Sequence, residues 1–370
     1  MSSHEQPVHE ADILAALRTV IEPELHRDLV TLGMIKNLTI RGSEVSLAVE
    51  LTTPACPLQE KIETDVKQAV MKVRGVTNVS LNMTSNVRQP TNPWDNRAPL
   101  PGVKNLIPVG SGKGGVGKST VAANLAVSLA ESGAKTGLLD ADIYGPSIPM
   151  MMGAKDKPKE RGGKMVPLER YGVKLISLGF FMTQDTPVVW RGPMVGKAVT
   201  QLLKDVDWGE LDYLIIDLPP GTGDAQLSLV QAVPITGAVV VTTPQDVALL
   251  DVIKCIAMFQ KVNVPVLGLI ENMSYFVCPH CGERTDILKH GGGREASAQL
   301  SIPFLGEVPL DPAIPIGGDE GVPIVKADPR SPQALRFKEI AGNLAARISV
   351  LNFELSEKAE KRDFVPLKIV

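Results

Sequence analysis

The string Gly112-Lys113-Gly114-Gly115-Val116-Gly117-Lys118-Ser119 fills every position of the pattern G-x-x-x-x-G-K-[ST]. Glycines let successive backbone N–H groups turn toward one anion, and a helix start adds the positive end of its dipole. Lys118 supplies a point charge to β/γ-phosphate oxygens, and Ser119, followed by Thr120, offers a hydroxyl to Mg2+. An apolar run, Leu106 to Val109, precedes the string, and a helix candidate, Ser119 to Ser132, follows it. That strand-loop-helix context favours a phosphate cradle over a glycine-rich turn that binds nothing. Lys113 sits at the loop tip, either simply solvated or able to reach phosphates across a subunit interface, as an arginine finger does in trans.

Phosphoryl chemistry also needs carboxylates at the ends of neighbouring strands, to hold Mg2+ through water and to orient an attacking water. Two stretches offer them: Asp140-Ala141-Asp142-Ile143-Tyr144-Gly145-Pro146-Ser147 and Asp217-Leu218-Pro219-Pro220-Gly221-Thr222-Gly223-Asp224. A strand-end Asp such as Asp140 could instead be a helix N-cap. The chain has no Asn-Lys-x-Asp guanine signature, which favours ATP over GTP. Asn272 follows an apolar run and could pair with an adenine edge or simply form a turn.

A second chemistry lies in Cys278-Pro279-His280-Cys281-Gly282, a knuckle that presents two thiols to one metal centre. Iron-sulfur clusters and structural zinc usually take four ligands, and no second C-x-x-C exists here. Two copies of the chain would close the count with two Cys278 and two Cys281 on a two-fold axis. Zinc completed by His280 or His290 within one chain, and a metal-free redox dithiol, are the alternatives. Cys255 falls within a helix candidate, Leu249 to Lys261. Cys56 lies between a strand and a helix beginning near Leu58. There it is either a thiol of lowered pKa or a small buried residue in a Pro-bounded turn.

The elements that must position these groups show in the hydrophobic pattern. Leu106–Val109, Thr136–Leu139, Val173–Ile176, Tyr213–Ile216, Ala238–Val241 and Val266–Ile270 are apolar runs with little alternation, as in strands covered on both faces. Helix candidates alternate with them, so the spacing predicts a doubly wound parallel α/β domain. The front differs. Ile13, Leu14, Leu17 and Val20 have helical spacing; Val45, Leu47, Val49 and Leu51 alternate, with Ile35 to Ile40 as hairpin partner. Ile62, Val66, Val70 and Val73 are helical again, and Val79, Leu81 and Met83 alternate. This α-β-β-α-β order predicts a small α+β domain over 1–87. A Pro-rich linker over 88–102, the α/β domain over 103–352 and a charged tail over 353–370 complete the expected organisation.

Six strings together, the loop, Asp140 to Ser147, Trp190-Arg191-Gly192-Pro193, Asp217 to Asp224, Glu271-Asn272-Met273-Ser274 and the C-x-x-C, resemble the Mrp/ApbC iron-sulfur cluster carrier ATPases over about residues 102 to 350. The loop itself resembles the deviant Walker A of nitrogenase-iron-protein and MinD-like (SIMIBI-type) ATPases. The front resembles a MIP18-like domain through Glu22-Pro23-Glu24, Leu29 to Gly33 and Leu51 to Pro57, with Glu22 where that domain commonly has Asp. The resemblance implies an ATP-hydrolysing homodimer with a [4Fe-4S] cluster between subunits, handed to apo-proteins and exchanged with assembly scaffolds. It implies Lys113 contacting the partner's nucleotide, Asp142 positioning water, Asp140 and Asp217 in the magnesium shell, Gly221 sensing the γ-phosphate and Asn272 on the adenine. A MinD/ParA-like positioning ATPase, or a zinc-binding nucleotide-gated module, shares part of this logic.

Composition excludes other classes. Among 370 residues, 38 basic and 41 acidic groups nearly cancel to −3, so no broad nucleic-acid-binding face is announced. Aromatics are 4%, too few for a stacking platform. No apolar run approaches the roughly 20 residues a membrane helix needs, and the first ten residues do not form a signal peptide. The expectation is a cytoplasmic protein that uses neither membrane nor nucleic acid.

Overall fold

The computed structural model describes residues 7–90, 95, 97–181 and 192–363. The front residues form α1 (Glu10–Leu17), β1 (Ile35–Arg41), β2 (Glu44–Leu51), α2 (Gln59–Met71) and β3 (Asn78–Ser85), the α-β-β-α-β order predicted. β1 and β2 form an antiparallel hairpin closed at Arg41 and Glu44, where Gly42 takes φ +63°. β2 and β3 pair in parallel, which requires the crossover that α2 supplies. Ile13, Leu17, Val45, Leu47, Val49, Ile62, Val66 and Val70 are buried between sheet and helices.

Glu22 replaces the expected Asp yet still closes a turn. Its Oε2 accepts N–H bonds from Glu24, at 2.9 Å, and from Leu25. Burial, reinforced by the charge of Glu22, raises Glu24 to about 7. A native pKa above the unfolded value means that the native chain holds this proton more tightly, so stability falls as pH rises from about 4.5 to about 7. Glu24→Gln is therefore expected to be more stable than wild type by about 1 kcal/mol near pH 8, a figure discounted for partial exposure, and equal to it near pH 4. Urea denaturation at the two pH values measures this.

The remainder builds β4 (Val103–Ser111), α3 (Lys118–Glu131), β5 (Thr136–Asp140), β6 (Leu168–Arg170), β7 (Val173–Ser177), α4 (Gly192–Lys204), β8 (Leu211–Asp217) and α5 (Asp224–Ala232). It continues with β9 (Ala238–Thr242), α6 (Asp246–Lys261), β10 (Val266–Glu271), β11 (Phe276–Val277), β12 (Arg284–Thr285), α7 (Gly292–Gln299), β13 (Phe304–Glu307) and α8 (Pro332–Asp363). The eight-stranded sheet has the order β6-β7-β5-β8-β4-β9-β10-β13, parallel throughout except for β6 on β7. Helices cover both faces, so the strands read as apolar runs. Ile107, Val109, Leu138 and Ile215 pack under α3 and α8, while Leu106, Leu139, Ile216 and Val240 pack under α4, α5 and α6. From β4 the chain crosses to β5 on one side, and from the adjacent β8 it crosses to β9 on the other, which makes the carboxyl ends of β4 and β8 a switch point where ligands bind.

Two features differ from the sequence expectation. β13 is a strand between Pro303 and Pro309, four residues too short and too Pro-bounded to announce itself. α8 runs unbroken across 352 and 353, so the expected boundary there falls inside a helix whose last turns carry the charged segment from Ser356. The front domain packs on the end of the sheet opposite the phosphate loop. There Tyr213 donates its hydroxyl to buried Thr53 at 2.9 Å, and Asn105 and Asn352 both donate to the Arg88 carbonyl. Trp190 and Arg191 lie outside the described residues.

Candidate functional site

β4 delivers the chain to Ser111, six residues form the loop, and α3 begins at Lys118. Its glycines divide into two pairs. A Cβ on Gly112 would come within 2.3 Å of the Asp251 backbone in α6, and one on Gly117 within 2.2 Å of Asn272 Nδ2, so these two lock the loop to its neighbours. Gly114 meets only Pro220, at 4.0 Å, and Gly115 meets nothing, leaving their amides approachable by an anion. Gly115 and Gly117 take φ +80° and +78°, conformations that favour glycine. Val116 is the buried anchor, and Ser111 Oγ holds the tip through the Lys113 carbonyl at 2.9 Å. Among the described residues, no carboxylate pairs with Lys113.

Lys118 is nearly buried between two strand-end carboxylates: it pairs with Asp217, lies 3.5 Å from Asp142 and reaches Ser119 Oγ at 3.3 Å. Burial raises Asp217, with Lys118 opposing it. Asp140 is pushed up to about 8 by burial and by Asp217. Asp217 Oδ2 and Asp142 Oδ1 are buried without any partner. Two unpaired hard oxygens beside a serine hydroxyl suit Mg2+, so the residues fit that ion.

Asp140 is held by three donors. Its Oδ1 accepts from Asp142 N at 3.1 Å, and its Oδ2 from Ile148 N at 3.3 Å and Ser177 Oγ at 2.9 Å. Both oxygens are thus spent on holding the loop that carries Asp142, and Asp217 keeps the free oxygen of the pair expected for magnesium. Gly221, at φ +90°, donates its N–H to Ser111 O at 3.0 Å, and so sits against the loop. Thr120 lies in the first turn of α3, its carbonyl accepting from Asn124 Nδ2 at 2.9 Å. Asn272 donates from Nδ2 to the Val116 carbonyl at 2.9 Å and braces the loop.

The cysteine knuckle is the tip of the β11–β12 hairpin. Cys278 N donates to Glu283 O and Gly282 N to Cys278 O, both at 2.9 Å, with Gly282 at φ +75°. Hydrogen bonds from the Cys281 and His280 backbone hold the Cys278 thiol below its ordinary range, and Cys281 is exposed. His290, the alternative zinc ligand, is committed elsewhere: its Nε2 lies 3.0 Å from Glu307, beside buried Glu271. Among the described residues, only Glu271, His290 and Glu307 gather three metal-capable donors, and neither cysteine is among them. Among the described residues, His290 is thus turned toward the two glutamates and not toward the hairpin. Sequence reasoning missed this Glu271–Ser274–Glu307–His290 network, because no motif spacing announces it.

Cys56 lies beside the far end of α3, near Glu131 and Ser132, about 20 Å along that helix from the loop. Burial, with smaller contributions from Glu24 and Glu22, pushes its thiol up to about 11, and burial pushes Cys255 up to about 12. Burial thus favours the alternative reading of Cys56 as a small residue in a Pro-bounded turn. Thiolate fractions near pH 8 are then about 10⁻³ and 10⁻⁴. Iodoacetamide labelling followed by peptide mass spectrometry is expected to modify Cys278 at least about a hundredfold faster than Cys56 or Cys255.

A phosphate loop at the switch point of this sheet, with strand-end carboxylates around its lysine, defines a P-loop NTPase of MinD-like fold. The family described as NUBPL iron-transfer P-loop NTPase matches residues 102–345, and the one described as iron-sulfur cluster assembly protein matches residues 10–81. The chain belongs to the NUBPL iron-transfer P-loop NTPase family and carries the assembly-protein domain in front. It is 52% identical over 351 residues to an iron-sulfur cluster carrier protein of Deinococcus radiodurans, covering 94% of this chain and 98% of that one. It is 48% identical over 277 residues to the iron-sulfur cluster transfer protein NUBPL of Dictyostelium discoideum, covering 74% and 85%. Among solved structures, a nucleotide-binding protein of Archaeoglobus fulgidus in complex with ADP superposes with a TM-score of 0.56 at 40% identity, covering 64% of this chain and 93% of that one. The cell division ATPase MinD of Pyrococcus furiosus gives 0.51 at 26%, covering 65% and 98%. Among the described residues, no helix is long and apolar enough to cross a membrane.

Proposed function

We propose that this protein is an ATP-hydrolysing carrier that holds a [4Fe-4S] cluster between two identical chains through Cys278 and Cys281 and hands it to apo-proteins. The observation that carries the reading is the two-thiol hairpin, half-buried at Cys278 and exposed at Cys281, which gathers no group of three metal-capable donors among the described residues: one chain supplies half of a Cys₄ set. The carrier and transfer names of the relatives support it. A second copy is further supported by Val247, Leu250 and Ile253, which lie along one side of α6 and are 66%, 62% and 45% exposed.

On this reading Lys118 leaves Asp217 and Asp142 for the β/γ-phosphate oxygens, and the amides of Gly114 and Gly115 cradle the β-phosphate. Asp142, released from Lys118, orients the attacking water. Ser119 and Asp217 would hold Mg2+, which supplies charge neutralisation on the phosphates when bound. Lys113, which pairs with no carboxylate among the described residues, is available to the nucleotide of the second copy.

Stoichiometry tests the whole reading. Anaerobic reconstitution with iron and sulfide is expected to give about four iron and four sulfide per dimer, with mass measured in the same fractions by light scattering. Loaded protein that stays monomeric would refute the shared site. Zinc in place of iron in protein as purified from cells would favour the zinc-binding module.

A further inference from the structure

The phosphate loop and the cysteine hairpin are joined by a short segment whose residues are all held. β10 ends at Glu271, and Asn272 follows, 5% exposed. Its backbone N–H donates to the Thr242 carbonyl at 2.7 Å, while its side chain donates to the Val116 carbonyl at 2.9 Å and packs against Gly117. Met273 takes the left-handed conformation at φ +56°. Ser274, fully buried, donates its N–H to Val308 O at 2.9 Å, and its hydroxyl sits between Glu271 Oε1, at 2.5 Å, and Glu307 Oε2, at 3.2 Å. Glu271 is itself fixed by the N–H groups of Gly291 and Gly293. The Tyr275 carbonyl accepts from Leu310 N at 2.7 Å, and its ring carries the guanidinium of Arg284 at 4.0 Å. Arg284 belongs to β12, the returning strand of the cysteine hairpin.

We propose that Asn272 is a positioning residue that transmits the state of the phosphate loop to Cys278 and Cys281. The Val116 carbonyl it grips belongs to a loop whose amides face the phosphate, so a loop that turns its N–H groups onto an anion also turns that carbonyl. Ser274 and Glu271 prevent the segment from absorbing the movement locally. The hairpin tip, exposed and tied by two backbone hydrogen bonds and one cation–π contact, takes it up. The meaning of that movement for cargo rests on the carrier reading above; the coupling itself does not.

The experiment uses cluster-free full-length protein and follows alkylation of Cys278 and Cys281 by iodoacetamide, resolved by peptide mass spectrometry, with and without saturating Mg-ATP. In wild type, nucleotide is expected to change the Cys278 rate by about fivefold or more. Asn272→Asp keeps the side-chain shape but removes the donor to Val116, and is expected to shrink that ratio below about twofold at a nucleotide concentration shown to saturate the variant. Ser274→Ala releases the other end of the segment and is expected to act in the same direction, which keeps the test alive should Asn272→Asp fold poorly. A wild-type-sized ratio in either folded variant, or a wild-type rate indifferent to nucleotide, overturns the proposal. The carrier reading fails separately, on iron content.

Discussion

Lys118→Ala lowers ATP turnover by about 10²–10³-fold, the cost of removing one preorganised charge from a developing phosphoryl transition state. The expectation rests on its place: 6% exposed, at the start of α3, with two buried carboxylates competing for it until phosphate arrives. The same variant should lose most of the stabilisation that nucleotide gives. Wild type gains about 2.7 kcal/mol when ATP is at a hundred times its Kd, and a thermal melt with and without ligand reads this directly. The variant still melts cooperatively, because Asp217, already raised by burial, can take up a proton once its counter-ion is gone. Turnover that survives the change would mean that another cation, with Lys113 first in order, carries the phosphate charge.

The phosphate loop was readable in the sequence because everything it needs is contiguous: glycines, lysine and hydroxyl within eight residues. The buried strands were readable for a related reason, since helices on both faces leave little polar alternation in the sheet. What required the structure was the division of labour among residues of one type. Asp140, Asp142 and Asp217 all lie at or just past strand ends, yet Asp140 has both oxygens taken by its own loop and by Ser177 of β7 while the other two each keep an unpartnered oxygen. The four glycines look alike on paper, yet two serve packing and two leave open space. Asn272 finds its partner 156 residues away, at Val116, a pairing that no local pattern encodes. Cys56 follows the opposite course: a helix start nearby suggested a reactive thiol, but burial beside two glutamates outweighs it.

Cys278→Ala with Cys281→Ala should abolish cluster loading: iron after anaerobic reconstitution falls from about four per dimer to background, and the charge-transfer absorbance disappears with it. The hairpin itself should persist. Its turn is made by the Cys278 N–H on Glu283 and the Gly282 N–H on Cys278, and its stem by the β11–β12 pairing, none of which involves sulfur. A melting midpoint close to that of wild type would confirm that the loss is chemical rather than structural. Each single variant should fail almost as fully, because a dimer with one thiol per chain offers two sulfurs to a core that takes four. That steepness separates a shared site from a monomeric one: a chain that recruited ligands elsewhere would lose iron in proportion to the sulfurs removed. A double variant that kept its iron and its absorbance would move the cargo site away from this hairpin and leave Cys56 as the next thiol to replace, although its raised pKa makes it a poor ligand near neutral pH.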